Sequence, residues 1–476
     1  MSPHFTYIEK LFRQLYEVPD DLIIGYGDPQ NKVNISPVAR TFFDGEKDLA
    51  ERQIARAPWI GRDLPFLFPG PSFAVPLREN RPGYWEITFD LWGAAFYFLS
   101  GWQERLFFQR HNALRFPYHH SLQQRLDIAH LPVVNYYFEV LKTAIEKALG
   151  RSVSRRRIWG EHPFAVCLTH DIDQATTGYR YDMASALRRG RLMRAAVIAA
   201  KRLAGQDSWD NIPDIIAMER EFGARSSFYF IARSGDIWHS DTYSRFNKGH
   251  FPPASEQAGE FEHFFSERKK GGYSAAEANA DYHLNSDFIR RSYQAITASG
   301  NEIGIHGSFG SHLDAQRFRE ELERLNTRVK GGRFHFLYFD PLRSFDLLES
   351  AGLAYDSTMG FGEVPGFGHG FAFPFHPYNF KTQQPYRLLE IPLVAMDATF
   401  RTYLNMPLAE IPGRLSALMA ETARFGGCFT VLWHNPYFTG DKYAGWREIY
   451  RGILEEGKSQ GAGLWSGEQI LAAWQR

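Results

Sequence analysis

The chain predicts an α/β protein, with a distorted (β/α) barrel of about seven strands preceded by a smaller α+β domain. Three observations carry that expectation. From residue 164 onward, short apolar runs alternate with helical stretches, as right-handed βαβ units and a parallel sheet require. The polar residues able to do chemistry stand at the ends of those runs, where α/β folds place their sites. Before residue 150 the chain reads differently, and residues 1–60 are polar and broken by Pro and Gly.

Taken in order, the first part offers short strands at 22–25 and 33–35, then EITFDLWGAAFYFLS (86–100), a strand or turn entering a buried helix. PVVNYYFEVLKTAIEKAL (132–149) has apolar residues at helical spacing and stops at Gly150, a residue suited to the left-handed position after a helix. RSVSRRR follows at 151–157, so the division is 1–150 as an N-terminal accessory domain, 151–163 as a basic, solvated linker and 164–476 as the barrel. Strands are expected at 164–169, 226–232, 301–305, 333–338, 353–356, 388–391 and 428–433. Helices are expected near 184–204, 211–222, 286–299, 313–330, 407–424, 445–457 and 467–475. The long polar segment 233–285 reads as a loop covering the site.

Composition narrows the function classes. Of 476 residues, 54 are basic and 54 acidic, so no global field argues for nucleic acid or an anionic membrane surface. Cys167 and Cys428 each lie in an apolar run, which argues against a disulfide framework or a cysteine zinc site. The N-terminus lacks the pattern of a secretory signal and no segment is apolar for long enough to span a bilayer, so a cytoplasmic protein is expected.

The most informative stretch is FAVCLTHDIDQ (164–174). Period-2 alternation points Thr169, Asp171 and Asp173 to one side of the strand. Two carboxylates so placed repel unless a metal or a shared proton resolves the conflict, although either could simply cap the next helix. Further strand ends carry His306, with His312 close behind, then Arg333 and His335, Asp356, Glu390 and His434. One buried His at a strand end is usually a hydrogen-bonded core residue, but a succession of Asp, His and Arg on one sheet is hard to explain that way.

The order and spacing of these segments resemble the polysaccharide deacetylase (NodB-homology) family of carbohydrate esterases, which remove acetyl groups from sugars with a divalent metal. By that resemblance THDID supplies Asp171 as general base and Asp173 as metal ligand, and EIGIH supplies His306 as a second ligand. GGRFHF supplies Arg333 to orient the base, VLWH supplies His434 as general acid, and Asp356 holds that His. The family's next ligand stands four residues after the first His, where this chain has Gly310. His312 is the favoured substitute and His335 its rival. His335 otherwise joins Trp433 as a substrate contact, with a core role for Trp433 as the alternative. The resemblance implies a divalent metal, zinc first, with cobalt, iron, nickel or manganese also suited to Asp/His ligation. It implies an acetylated sugar or glycan precursor of a surface-polysaccharide pathway as substrate. A sugar-binding protein with a decayed site, or an amidohydrolase acting on a non-sugar amide, stands as the alternative.

Overall fold

A computed structural model of the protein describes residues 2–111, 113–235, 279–440 and 442–476. Most of the expected covering loop, 233–285, therefore lies outside the described residues. The N-terminal third begins with the helix Pro3–Leu15 and contains β1 (Ile24–Tyr26), β2 (Val33–Ile35), β3 (Ile54–Trp59), β4 (Arg62–Leu67), β5 (Leu77–Arg81) and β6 (Tyr84–Ile87). β1, β2, β6 and β5 form one small sheet in that order, and β3 and β4 form a hairpin. The helix Leu91–Leu99 is buried along its whole length, and Asp90 caps it by accepting from the Gly93 N–H at 2.9 Å. The helix Val133–Leu149 ends at Gly150 with φ 66°, as its sequence suggests.

The second part holds β7 (Ala165–Ile172), β8 (Ser227–Ile231), β9 (Glu302–Gly307), β10 (Gly331–Phe334), β11 (Tyr355–Asp356), then a small hairpin of β12 (Tyr378–Asn379) and β13 (Gln384–Pro385). β14 (Leu389–Glu390), β15 (Ala395–Met396), β16 (Cys428–Leu432) and β17 (Gly463–Trp465) follow. Eight of these run parallel in the order β14-β11-β10-β9-β8-β7-β16-β15. β17 pairs with the first half of β7, leaving the second half to β8. The two strands at the ends of the path, β14 and β15, are separated by only residues 391–394. A flat sheet of eight strands would hold them roughly 34 Å apart at the usual strand spacing. Five extended peptide steps reach at most about 18 Å. The sheet must therefore curl, consistent with a (β/α) barrel whose seam is crossed by the chain itself. Along that seam Ile391 N–H donates to Asp356 O and Val394 N–H to Thr430 O.

The sheet has nine strands where about seven were expected. β15 and β17 escaped notice because two or three residues are too short to show a period. Gly332 is needed where β10 crosses β9, since a Cβ there would lie 1.9 Å from the Ile305 carbonyl oxygen.

The segment 151–163, exposed over most of its length, is tied to the rest of the chain at three points. Arg155 pairs with Glu139 at 2.6 Å, Glu17 N–H donates to Ser154 O, and the Trp159 indole donates to Gly426 O at 2.6 Å. One hydrophobic cluster runs from Ile8, Phe12 and Phe138 into Phe371, Cys167, Tyr355 and Cys428 of the second part. Each fully buried side chain of this size contributes about 1.5–3 kcal/mol, so the two parts stabilise one another. Among the described residues, no helix is long and apolar enough to cross a membrane.

Candidate metal centre

β7 presents alternate faces, as its pattern requires. Thr169 and Asp171 face the barrel interior, while His170 points outward to Glu219 and the Trp433 carbonyl. Asp173 stands just beyond the strand. Its position is fixed from below by Tyr282, whose hydroxyl donates to Ile172 O at 2.6 Å, and from the side by Asp281, which accepts from the N–H groups of Ala175 and Thr176.

β10 pairs with β9 in a register that sets Arg333 beside His306. The fully buried Arg333 donates to Thr169 Oγ1 at 2.9 Å, Asp171 Oδ1 at 3.0 Å, Ser357 O at 2.6 Å and Ser357 Oγ at 2.9 Å. A planar guanidinium bonded on several sides cannot turn, so it fixes the Asp171 carboxylate. His306 Nδ1 donates to the Arg333 carbonyl at 2.9 Å, which leaves the Nε2 lone pair pointing inward. That nitrogen lies 3.2 Å from Asp173 Oδ1 and 3.6 Å from Asp171 Oδ2.

The third member of this group is His335, with Nε2 3.5 Å from Asp173 Oδ2. β10 ends at Phe334, and Phe336 and Leu337 then adopt left-handed φ values of 62° and 56°. Such a conformation costs non-glycine residues about 1–3 kcal/mol each and persists only where the surroundings impose it. Phe336 stacks on the His335 ring at 3.8 Å. The backbone here is tied to the N-terminal third: Arg115 donates to Phe336 O at 3.4 Å and Phe339 N–H to Leu114 O at 2.8 Å. Arg115 is itself paired with Glu363 at 3.1 Å.

Asp173, His306 and His335 each offer a ligand atom, all within 4.8 Å of one another, and together could hold a metal ion. Two observations show that the residues fit one. Asp173 Oδ1 and His306 Nε2 are buried with no hydrogen-bond partner, a costly state unless a further group completes them. The protonation states of Asp173 and His335 also suit ligation, whereas Asp171 and Asp173 raise the His306 imidazole against its burial. Burial would raise the Asp173 carboxyl, but His335 and His306 hold it well below the usual range; burial outweighs Asp173 in keeping the His335 imidazole below its ordinary value.

His434 follows β16 on the other side of Asp173, with Nε2 3.8 Å from Asp173 Oδ2. Its Nδ1 bonds Asp397 Oδ1 at 2.8 Å, and its own N–H donates to Asp397 Oδ2 at 2.5 Å. Burial pulls the His434 imidazole down, but Asp397, then Asp173 and Asp171, push it up to about 9. Asp173 and His434 are 18 % and 17 % exposed at their side chains, whereas His306, His335, Asp171 and Arg333 are almost wholly covered. The site therefore opens to solvent between the carboxylate and the imidazole.

Asp171, Asp173, His306, Arg333 and His434 thus come together as expected from the sequence. Four other expectations are corrected. His312 does not join the group: the turn after Gly310 carries it into Ser311–Leu313, with its ring against Phe334 and Tyr338, and burial lowers its imidazole to about 3. His335 takes the place beside Asp173 and His306 instead of serving only as a substrate contact. Asp356 does not hold His434; it binds the Thr358 N–H and hydroxyl beside Glu390, steadying the turn that carries Ser357. Asp397 holds His434, and the sequence reading missed it. Its signal was available, since VAMD is an apolar run ending in a carboxylate, as FAVCLTHD is. Trp433 is fully buried against Trp446 and Tyr450 and offers no platform to a sugar.

A family of unknown function, DUF7033, matches residues 4–149. No curated protein matches the chain. A crystal structure from Mycobacterium smegmatis, provisionally described as a polysaccharide deacetylase, aligns over 66 % of this chain and 91 % of its own at 14 % identity and a TM-score of 0.37. A likeness at that level carries no argument.

Proposed function

We propose that the barrel is a metal-dependent hydrolase that removes an acetyl group from an N- or O-acetylated sugar. One observation carries the reading. An Asp-His-His ligand set with unsatisfied inward atoms is flanked by a carboxylate clamped by arginine on one side and a carboxylate-bound imidazole on the other. Asp173, His306 and His335 would hold the ion. When bound, it supplies Lewis acidity to the acyl carbonyl and acidity to the attacking water; zinc suits the donor set, as do several other first-row metals.

The chain's own residues perform the proton transfers. Asp171, oriented by Arg333, takes a proton from the attacking water. His434, kept protonated near neutrality by Asp397, gives its Nε2 proton to the departing nitrogen or oxygen as the C–N or C–O bond breaks. A poor leaving group such as an amine needs that proton. Arg333, buried and fully engaged, touches no substrate and acts through Asp171. The sugar, as against another amide, rests on the resemblance of the five strand-end segments, and a surface-polysaccharide precursor is the substrate class it suggests. Residues 1–150 serve as an accessory unit to the catalytic portion 164–476, bracing the His335 turn through Leu114 and Arg115.

Metal analysis of the purified protein and of Asp173→Ala, His306→Ala, His335→Ala and His312→Ala, joined to acetate release from acetylated sugars, tests the proposal. The expectation is one ion per chain, lost in the first three variants and kept in the fourth, with acetate released only by the loaded protein. Absence of metal from the wild type after reconstitution would sink it.

A further inference from the structure

We propose that the helical hairpin beside the candidate centre docks the protein on an anionic lipid surface. The hairpin consists of the helices Gly178–Arg188 and Leu192–Leu203, and it begins five residues after Asp173. Its second helix is apolar on the wrong side. At 3.6 residues per turn, Leu192, Met193, Ala196, Val197, Ala200 and Leu203 fall within one arc of about 140°. Ala195 and Ile198, which pack inward with Ala186, lie on the opposite side. Leu192, Met193 and Leu203 are 69 %, 82 % and 90 % exposed, and Leu187 and Val197 are exposed as well. Isolated exposed apolar residues are ordinary, but a stripe along a whole helix marks a contact surface.

Charge identifies the occupant. Arg188, Arg189 and Arg191 surround the turn, and Arg194, Lys201 and Arg202 follow on the second helix. Asp182, the hairpin's single carboxylate, is buried and bonded to Ser208. A chain whose charges balance only as a whole therefore concentrates positive charge where it also exposes Leu and Met. This pairing suits a bilayer interface, where the apolar stripe enters the acyl boundary and the basic groups meet anionic headgroups. A second copy would bring like charges together. A nucleic acid would meet the arginines and leave the leucines in water. The proposal is independent of the catalytic reading, since it requires neither metal nor turnover.

Co-sedimentation of the full chain with phosphatidylcholine vesicles, with and without phosphatidylglycerol, tests it. Binding is expected to the anionic vesicles and not to the neutral ones, and to weaken with added salt. Arg188→Glu/Arg189→Glu/Arg191→Glu is expected to weaken it on the order of a hundredfold or more. Leu192→Ser/Met193→Ser/Leu203→Ser is expected to abolish binding, with thermal melting unchanged because these side chains are exposed. Met193→Ser alone gives a milder version that leaves the hairpin intact. Absence of wild-type binding, equal binding to neutral vesicles, or binding indifferent to both triple variants would overturn the proposal. So would a dimer in sedimentation that the serine variant dissociates, which would make a second copy the occupant.

Discussion

His170 and Asp171 are neighbours on β7, yet each anchors a different kind of buried polar cluster. On the outer face, His170 bonds the Trp433 carbonyl at 2.6 Å and Glu219 at 2.9 Å, and Glu219 also accepts from Tyr450 at 2.6 Å and Ser226 at 2.7 Å. Both ring nitrogens and both carboxylate oxygens are satisfied from within the protein. On the inner face, Asp171 is held by Arg333, but beyond it Asp173 Oδ1 and His306 Nε2 have no partner. The clusters share burial, charge and residue types. What separates them is completeness: the outer one is closed and the inner one awaits something. Burial of polar groups is thus a poor guide to function, and unsatisfied atoms mark a site only where several potential ligand atoms converge, since the excluded His312 Nε2 is unsatisfied too.

Five substitutions sharpen or break this contrast. Asp173→Ala and His306→Ala should have the largest effect, removing the metal and all hydrolysis while leaving the denaturation midpoint nearly unchanged. A stability loss with retained metal would merge the two clusters into one structural class. Glu219→Ala should do the reverse, leaving His170 and Tyr450 buried without their shared acceptor. An unfolding cost of about 3–5 kcal/mol is expected, read by denaturant titration, with metal content unaltered. Asp397→Asn should lower the turnover rate about a hundredfold near neutrality. It should also move the alkaline limb of the rate profile. His434 must carry a proton to act, and it loses that proton as pH rises through about 9. Without the Asp397 charge the limb falls toward the ordinary histidine range near 6.5; an unmoved limb would remove His434 from the role of acid. The smallest effect belongs to His312→Asn, for which metal content and rate should stay within about twofold. Loss of metal there would restore His312 as a ligand against His335.

Much of this site could be read from the chain because strands end where apolar runs end, and Asp171, Asp173, His306, Arg333 and His434 all stand at such ends. The third member of the group could not. Counting along the chain from His306 favoured His312, but His335 lies beside Asp173 and His306, placed by left-handed backbone at Phe336 and Leu337. A Gly or Asn would have advertised that turn; Phe conceals it, and contacts from the distant residues 114 and 115 sustain it. Asp397 was overlooked for another reason, the shortness of the apolar run that signals it. β15 spans only two residues, so nothing periodic marked the strand that carries it. The barrel as a whole was legible because apolar runs alternate with helical stretches again and again from residue 164 onward.

The seam at 391–394 also divides the site by order of synthesis. Strands β7 to β11 and then β14 are laid down in the sequence in which they pair, and they bring every proposed ligand with them. β15 and β16 dock later, on the opposite flank of β7, carrying Asp397 and His434. During synthesis, at roughly 5–20 residues per second, the three ligands are on the growing chain several seconds before the imidazole. A nascent chain therefore presents the proposed ligands before it possesses the proposed acid.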